Sequence, residues 1–299
     1  MPRLPRFKRA SNIPACKLTP RDCNVILLIH RHRFLRSSHI RALTGGSPQQ
    51  LLRRLQLLYH HGYLERPRAQ LEYYGTGGSR PMVYGLGNRS AQLLQHEFGI
   101  SALPSRQSEK NGSVRRIYLA HALLVSDVMV AVELACRRNG IRFCDGPELP
   151  LPESLKQESH PFRWDVKAFG RVKLGVVPDR AFALDFGGGR RSLFFLEADR
   201  GTMPVMRKNL SQTSFFRKLL AYEATWLQSI HEKRFGFHRF RVMTVTTSAE
   251  RVKSLVDACS QLKRGRGLFL FADRTILDKD MFAPIWQAGR PGETGSLLD

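Results

Sequence analysis

The chain has 299 residues, of which 48 are lysine or arginine and 25 are aspartate or glutamate, so its formal net charge is +23. That imbalance is too large for an ordinary enzyme surface and predicts a polyanionic partner, either nucleic acid or an anionic membrane. No stretch approaches the about 18 to 20 uninterrupted apolar residues of a membrane span, and the N-terminus lacks the apolar core of a secretory signal. We therefore expect a cytoplasmic, nucleic-acid-binding protein with no membrane span.

Residues 1–17 carry five lysines or arginines among three prolines and are interpreted as a flexible basic arm. Such an arm either contacts phosphates or is a disordered terminus without a role, and the sequence leaves both open. The five cysteines form no CxxC pair and have no histidine at metal-ligand spacing, so we expect reduced thiols. With 42% apolar residues, the chain is long enough for two domains of ordinary size.

Residues 18–100 show the order of a winged helix-turn-helix domain. Thr19 and Pro20 are typical of an N-cap and a first helical position. Ser37 begins a second short helix, residues 44–47 form a tight turn, and Pro48 begins a third helix. Two helices separated by such a turn indicate a helix-turn-helix motif.

The third helix carries amide and guanidinium groups beside a leucine stripe at helical spacing. Glutamine can pair with adenine and arginine with guanine in the major groove. We therefore predict a DNA-reading face, and the alternative is a solvated helix surface. The predicted DNA-binding residues of this helix are Gln49, Gln50, Arg53 and Arg54.

A short strand at 63–65 and its return at 82–84 flank a loop with Gly75, Gly77 and Gly78, which predicts a wing. Three arginines at the root of the wing are predicted to contact phosphates: Arg66, Arg68 and Arg80. A helix over 90–98 closes the domain, and the polar segment 101–113 is predicted to be a linker.

Residues 114–285 predict a second domain with a mixed sheet and helices on its faces. The predicted helices span 119–138, 214–231 and 249–262. The predicted strands span 142–144, 166–177, 181–186, 192–197, 240–246 and 267–271. Residues 286–299, rich in glycine and containing a proline, are predicted to form a flexible tail.

Asp179 begins one predicted strand and Glu197 lies on its antiparallel neighbour, a pattern that resembles the PD-(D/E)xK nucleases. Two such carboxylates can bind one Mg²⁺ or Mn²⁺, which would activate a water for attack on a phosphodiester. The pattern expects lysine two residues after the glutamate, where this chain has Asp199. The pattern is therefore incomplete. Because Asp199 lies two residues after Glu197 and would share its sheet face, it is predicted as a third ligand.

Lys218, with Tyr222 one turn later on the following helix, is predicted to replace the missing cation, and Arg200 is a weaker substitute. Glu133 is considered as an additional carboxylate, although a single acid on such a helix is typical of a solvated surface. The alternative interpretation of the whole pattern is a hairpin with surface carboxylates.

The chain also resembles the replication-relaxation family over residues 18–230. The resemblance is carried by the residues from Leu18 to Asp22, the Gly62-Tyr63-Leu64 start of the wing, Val177-Pro178-Asp179, the segment from Phe195 to Thr202, and the run from Arg217 to Tyr222. It implies a role in plasmid or integrative-element biology, similar to the MOBC-type relaxases that process a transfer origin. It implies a site of Asp179, Glu197 and Asp199, assisted by Lys218 or Tyr222.

The expected fold class is α+β, with an N-terminal winged helix-turn-helix domain followed by a restriction-endonuclease-like mixed α/β domain. Two functions follow. In the first, the chain binds double-stranded DNA, such as a mobile-element origin, and nicks it with Mg²⁺ or Mn²⁺, together with conjugation or replication proteins. In the second, it is a catalytically inactive DNA-binding accessory or regulatory protein.

Overall fold

The computed structural model describes residues 4–71, 80–100, 107–168, 172–209 and 211–299. The chain divides into two compact units, unit 1 (Met1–Val130) and unit 2 (Ala131–Asp299). Unit 1 combines helices with a small antiparallel sheet, and unit 2 is built around a seven-stranded sheet. The expected α+β class is confirmed.

Unit 1 contains the predicted helices in the predicted order. Thr19 caps the first helix with a complete capping box, in which its side chain and that of Asp22 bind each other's backbone N–H groups. The left-handed Gly62 (φ 80°) follows the third helix, at a backbone conformation that favours glycine. The helices are α1 (Pro20–His32), α2 (Ser37–Thr44), α3 (Pro48–His60), α4 (Asn88–Phe98) and α5 (Gln107–Gly112).

Three short strands form the sheet of unit 1: β1 (Leu35–Arg36), β2 (Leu64–Glu65) and β3 (Val83–Leu86). The central strand β3 pairs antiparallel with both β1 and β2. The sequence predicted β2 and β3 within two residues but not β1, which is only two residues long. The glycines of the predicted wing loop lie outside the described residues.

The predicted linker at 101–113 is wrong where the structure describes it. Residues 107–112 form α5, whose buried Asn111 donates a hydrogen bond to the Leu86 carbonyl (2.9 Å). The boundary between the units instead falls inside the long helix α6 (Arg116–Arg138). The first half of α6 belongs to unit 1 because Leu119 and Leu123 pack on Phe34 in its core. The polar composition of this segment predicted a linker, but the hydrogen bond of the buried Asn111 side chain connects the segment to β3.

Helix α6 is also long and apolar enough to cross a membrane by length and composition. However, 67% of its apolar window is buried within the protein, which is typical of a core helix. The part of the chain that the structure describes therefore contains no clear membrane span.

Unit 2 is organised around a mixed seven-stranded sheet of order β12-β11-β10-β9-β8-β7-β4. Strands β8, β9 and β10 are parallel to one another, and the remaining pairs are antiparallel. The strands are β4 (Arg142–Asp145), β7 (Arg180–Asp185), β8 (Arg191–Ala198), β9 (Phe240–Thr246), β10 (Phe269–Asp273), β11 (Trp286–Ala288) and β12 (Thr294–Gly295).

One face of this sheet packs against helices and a separate hairpin. The predicted single strand 166–177 is instead a hairpin, β5 (Trp164–Ala168) and β6 (Val172–Val176), which forms its own two-stranded sheet. It shares a core with α8 (Phe215–Leu227) and α10 (Ala249–Ser260). Two four-residue helices complete the unit, α7 (Glu153–Lys156) and α9 (Ile230–Lys233). The predicted helix 214–231 breaks between α8 and α9 at Ser229, which has a left-handed backbone (φ 53°).

The predicted flexible tail is also wrong. Strand β11 extends the sheet beyond β10, and β12 forms its edge. Trp286 and Leu297 are fully buried, and Trp286 donates a hydrogen bond to the Met281 carbonyl (2.9 Å). The glycines suggested disorder, whereas burial of these two side chains stabilises an ordered end.

Residues 4–17, predicted to be a flexible arm, contact the rest of unit 1 at several points. The Arg9 guanidinium binds the Tyr59 carbonyl (3.1 Å) and the Glu65 carboxylate (2.7 Å). Further along, His61 contacts the Pro14 carbonyl (2.8 Å) through Nε2. The basic residues of this segment thus serve partly as anchors, and the expectation of a free arm is corrected for these residues.

Candidate active site

Asp179 and Glu197 lie side by side at one end of the β7–β8 pair. Arg180 is paired with Leu196 in the antiparallel register; Asp179 directly precedes β7, and Glu197 directly follows Leu196 on β8. The backbone N–H of Asp179 donates to the Leu196 carbonyl (3.0 Å), and Asp179 Oδ2 accepts from the Ala198 N–H (2.8 Å). The Asp179 charge contributes to the raised pKa of Glu197, so the two carboxylates lie close enough to interact. The structure thus brings these two predicted residues together.

Helix α8 brings two further predicted residues to Glu197. The Lys218 ammonium forms an ion pair with Glu197 Oε2 (2.5 Å), and the Tyr222 hydroxyl donates to Glu197 Oε1 (2.6 Å). Lys218 and Tyr222 are four residues apart and therefore project from the same helix face. The side chain of Glu197 is 3% exposed, whereas that of Lys218 is 35% exposed, so the lysine connects the buried carboxylate to solvent.

The electrostatics of this cluster follow from burial. Burial raises the pKa of Glu197, an effect that the Lys218 charge opposes and the Asp179 charge reinforces. Burial lowers the pKa of Lys218, but the adjacent Glu197 more than compensates and leaves it raised. Burial and the Glu197 charge raise the pKa of Tyr222 well above its usual value. Tyr222 is 1% exposed, so it is a hydrogen-bond donor to Glu197 without access to solvent.

Asp199 follows the end of β8 and is engaged by other partners. Arg251 of α10 donates from Nε to Asp199 Oδ2 (2.8 Å), and the Thr246 hydroxyl donates to the same oxygen (2.7 Å). The Gly201 N–H donates to Oδ1 (3.1 Å). Although burial raises the pKa of Asp199, these hydrogen bonds outweigh it and hold the pKa below its usual value. Asp199 thus ties the start of α10 to the end of β8.

Two further predicted alternatives are Glu133 and Arg200. Glu133 on α6 is buried and forms an ion pair with Arg137 one turn later (2.6 Å). Because Glu133 is buried and ion-paired, it is not the solvated surface carboxylate that the sequence suggested, and its pairing with Arg137 does not favour a role as a metal ligand. Arg200, the weaker substitute for the missing lysine, is half-buried at the end of β8, and Lys218 occupies the position beside Glu197.

Sequence reasoning missed Thr244, which lies next to Glu197 on the parallel strand β9. Thr244 is fully buried, and its hydroxyl has no hydrogen-bond partner within the described ranges. The sequence did contain a signal for this position, namely a threonine among apolar residues on a predicted buried strand. Buried hydroxyls usually have a hydrogen-bond partner, so a buried threonine without one is a candidate site residue.

Asp179 and Glu197 are the residues that could bind a metal. Mg²⁺ commonly uses one or two protein carboxylates and keeps water or phosphate as its other ligands. Each carboxylate oxygen has two lone pairs, and the hydrogen bonds from Lys218 and Tyr222 use one lone pair on each oxygen of Glu197. In the described part of the chain, no group of three or more histidine, cysteine, aspartate or glutamate side chains is placed to hold a metal ion. Two carboxylates are a donor set of the kind that a hydrated Mg²⁺ or Mn²⁺ uses, and they do not form an all-protein cage.

In unit 1, three of the four residues predicted on α3 are exposed. Gln49, Gln50 and Arg53 point to solvent, beside the buried stripe of Leu51, Leu55 and Leu58. Arg54 is different, because it donates to both carboxylate oxygens of the buried Asp22 (2.8 and 2.6 Å). Its predicted contact with DNA is corrected to an ion pair that joins α3 to α1.

Of the three arginines predicted at the wing root, Arg66 is buried and serves the fold. It donates to the Arg6 carbonyl (2.6 Å) and stacks over the Tyr59 ring (4.3 Å). Arg68 and Arg80 are exposed, as a phosphate contact requires. The prediction of a DNA contact is therefore corrected for Arg66 and stays a prediction for the other two.

Comparison with known proteins identifies one relationship. The sequence profile of the replication-relaxation family matches residues 27–239, which include most of unit 1 and the cluster around Glu197. No curated protein and no solved structure shows a significant match to the chain.

Proposed function

The chain belongs to the replication-relaxation family, and from this membership and the two sites we propose that it binds duplex DNA and nicks one strand with a divalent metal ion. The family supports a role in replication or mobilisation. Within that role, we propose that the substrate is an origin on a plasmid or integrative element, as for MOBC-type relaxases, and that the protein acts in the cytoplasm with replication or conjugation proteins.

For DNA binding, we propose that unit 1 is a winged helix-turn-helix domain. The order of α1, β1, α2, α3, β2 and β3 and the pairing of β3 with both other strands support this assignment. Gln49, Gln50 and Arg53 on α3 would contact base edges, while Arg68 and Arg80 would contact phosphates. The net charge of +23 would supply the non-specific part of the affinity.

DNA reading by α3 is tested by the variants Gln49→Ala and Arg53→Ala. Each should reduce the preference for a native-locus fragment over a random duplex, because a bidentate base contact contributes about 1–3 kcal/mol of discrimination. Arg115→Gln is the matched control, since Arg115 is an exposed arginine of unit 1 outside α3. Unchanged preference in both variants would contradict a reading role for α3.

For nicking, the observation that carries the proposal is the position of Lys218. The PD-(D/E)xK pattern requires a cation beside the glutamate, and Lys218 supplies one from a different element at 2.5 Å. We propose that unit 2 is a restriction-endonuclease-like domain in which this lysine has moved from β8 to α8. The assignment of Asp199 as a metal ligand is replaced by a positioning role, because Arg251 and Thr246 occupy it.

The residues of the cluster have separate roles in this proposal. Asp179 and Glu197 would hold Mg²⁺ or Mn²⁺, which supplies Lewis-acid polarisation of the phosphodiester and a water of lowered pKa. Lys218 favours the ionised form of Glu197 against the effect of burial and would place a positive charge near the phosphate that reacts. Tyr222 orients Glu197 through its hydroxyl, and its burial argues against attack on DNA by this oxygen.

The nicking proposal is tested on a supercoiled plasmid that carries the protein's native locus, with Mg²⁺ or Mn²⁺ and with chelator. Wild type should convert the plasmid to the open-circular form, and Asp179→Asn and Glu197→Gln should abolish conversion while retaining DNA binding. Asp165→Asn is the control, because Asp165 is an exposed carboxylate of the same unit paired with Lys173. Nicking that survives in both site variants would refute the assignment.

A second candidate function is a regulatory DNA-binding protein without chemistry. It is favoured by the engagement of Asp199 with Arg251 and by the lack of a third metal-ligating side chain among the described residues. In that case, the Lys218–Glu197 pair would serve only the fold. Sequence-specific binding without cleavage under any divalent ion would support this alternative.

A further inference from the structure

We infer that a groove between α2, α3 and β3 of unit 1 holds a segment of the DNA sugar–phosphate backbone next to the reading face of α3. This inference rests on the proposed DNA binding by unit 1 and adds residues to it. The groove has a volume of about 420 Å³. Its cationic lining consists of Arg6, Arg41, Arg66 and Arg80, and no described aspartate or glutamate lines it.

The four arginines reach the groove from four separate parts of unit 1. Arg41 is exposed on α2 and forms no ion pair with the described residues. Arg66 lies buried in the wall, so it adds positive charge without contacting DNA, and its hydrogen bond to the Arg6 carbonyl (2.6 Å) fixes the N-terminal segment at the groove. Arg80 is exposed just before β3. Such convergence of positive charge is complementary to phosphate.

The rest of the lining combines apolar side chains, Leu52 and Met82 among them, with the polar Ser37, Ser38 and Gln56. Leu52 is 49% exposed, whereas Leu51 of the same lining is buried. A deoxyribose offers an apolar face and a phosphate offers negative charge. A groove lined by both apolar side chains and arginines matches that combination better than it matches a free inorganic anion.

The groove also lies where a DNA strand would pass. Pro48, Leu52 and Gln56 line it and lie four residues apart, so they form one stripe along α3. Gln49 and Arg53 form the next stripe around the helix and are exposed. A strand whose bases contact Gln49 and Arg53 would therefore have its backbone over Leu52 and Arg41.

The test compares wild type, Arg41→Gln and Arg115→Gln by fluorescence anisotropy on a random-sequence duplex over a range of salt concentrations. Loss of one phosphate contact should lower the slope of log affinity against log salt by about 0.9 and weaken binding about fivefold at 0.15 M salt. A native-locus fragment should lose the same factor, because backbone contacts are independent of sequence. Arg115→Gln removes the same charge outside the groove and should change affinity less.

Arg6→Gln is a second variant that keeps the folding contact, since Arg66 binds the Arg6 carbonyl and not its side chain. It should reproduce the reduced slope. If wild type binds DNA with a steep salt dependence and both groove variants behave like Arg115→Gln, the groove inference is overturned and the proposed function stands. If Arg41→Gln loses the preference for the native fragment, the groove reads bases and the backbone role is wrong. Wild-type binding that does not respond to salt would overturn the proposed function itself.

Discussion

Replacing Lys218 with methionine should destabilise unit 2 in a pH-dependent way, because it leaves the Glu197 carboxylate without its counter-ion. The side chain of Glu197 is 3% exposed and that of Lys218 is 35% exposed. The expected loss lies between the about 1 kcal/mol of an exposed pair and the about 3–5 kcal/mol of a fully buried one. We expect about 2–3 kcal/mol at pH 8, which lowers the Tm by about 4–12 °C.

The pH dependence follows from the direction of the Glu197 pKa. Burial already raises it, and removal of Lys218 raises it further, because the lysine was the opposing charge. A carboxyl whose pKa is raised in the folded state does not destabilise the fold when the pH is below its pKa in the unfolded chain, about 4.5. Stability is then lost as the pH rises through the folded pKa. The difference between Lys218→Met and wild type should therefore be small at pH 5 and full at pH 8.

Tryptophan fluorescence reports this transition selectively, because all three tryptophans of the chain, Trp164, Trp226 and Trp286, lie in unit 2. The double variant Lys218→Met with Glu197→Gln should recover most of the loss at pH 8. Lys156→Met is the matched control, since Lys156 contacts Glu153 at the same 2.5 Å but the glutamate side chain is 80% exposed. A loss that is equal at both pH values, or that Glu197→Gln does not relieve, would refute the reasoning.

Three further outcomes are expected. Tyr222→Phe should lower the free energy of unfolding by about 1.5–3 kcal/mol, since it removes a hydrogen bond to a buried charged acceptor. The same variant should slow plasmid nicking without abolishing it. Complete loss of nicking, together with a protein–DNA adduct in wild type, would instead make Tyr222 a nucleophile. In unit 1, hydrogen bonds from Arg54 and Thr19 outweigh burial and lower the pKa of Asp22, so amide protection of α1 should fall as the pH drops through that pKa; in Asp22→Asn this fall should disappear. Trp286→Ala should cost about 3–5 kcal/mol, because a large buried side chain is removed; a loss below 1 kcal/mol on urea unfolding would restore the interpretation of the C-terminus as a flexible tail.

The structural features that could be predicted from the sequence are those that depend on residues close together in the chain. The Thr19 cap, the turn before Pro48 and the i, i+4 pair of Lys218 and Tyr222 are local patterns, and the structure contains each of them. The antiparallel pairing of β7, which follows Asp179, with β8, which carries Glu197, was also predicted, because an antiparallel hairpin has few possible registers.

What the sequence did not predict depends on contacts between distant residues. Arg53 and Arg54 look equivalent in the sequence, yet Arg54 is turned about 100° around the helix and binds Asp22 from α1. Asp199 was predicted to be a metal ligand, but Arg251, 52 residues away in the sequence, donates a hydrogen bond to its carboxylate. The C-terminal glycines suggested disorder because nothing local shows that Trp286 extends the sheet.

The central claim is that Asp179 and Glu197 form a divalent-metal site. The most direct test is to titrate Mn²⁺ into the full chain with bound duplex DNA and to measure the free ion by electron paramagnetic resonance. We predict one saturable Mn²⁺ per chain, lost in Asp179→Asn and in Glu197→Gln and retained in Asp165→Asn. No saturable Mn²⁺ in wild type, or binding that persists in both site variants, would contradict the account and favour a regulatory DNA-binding protein.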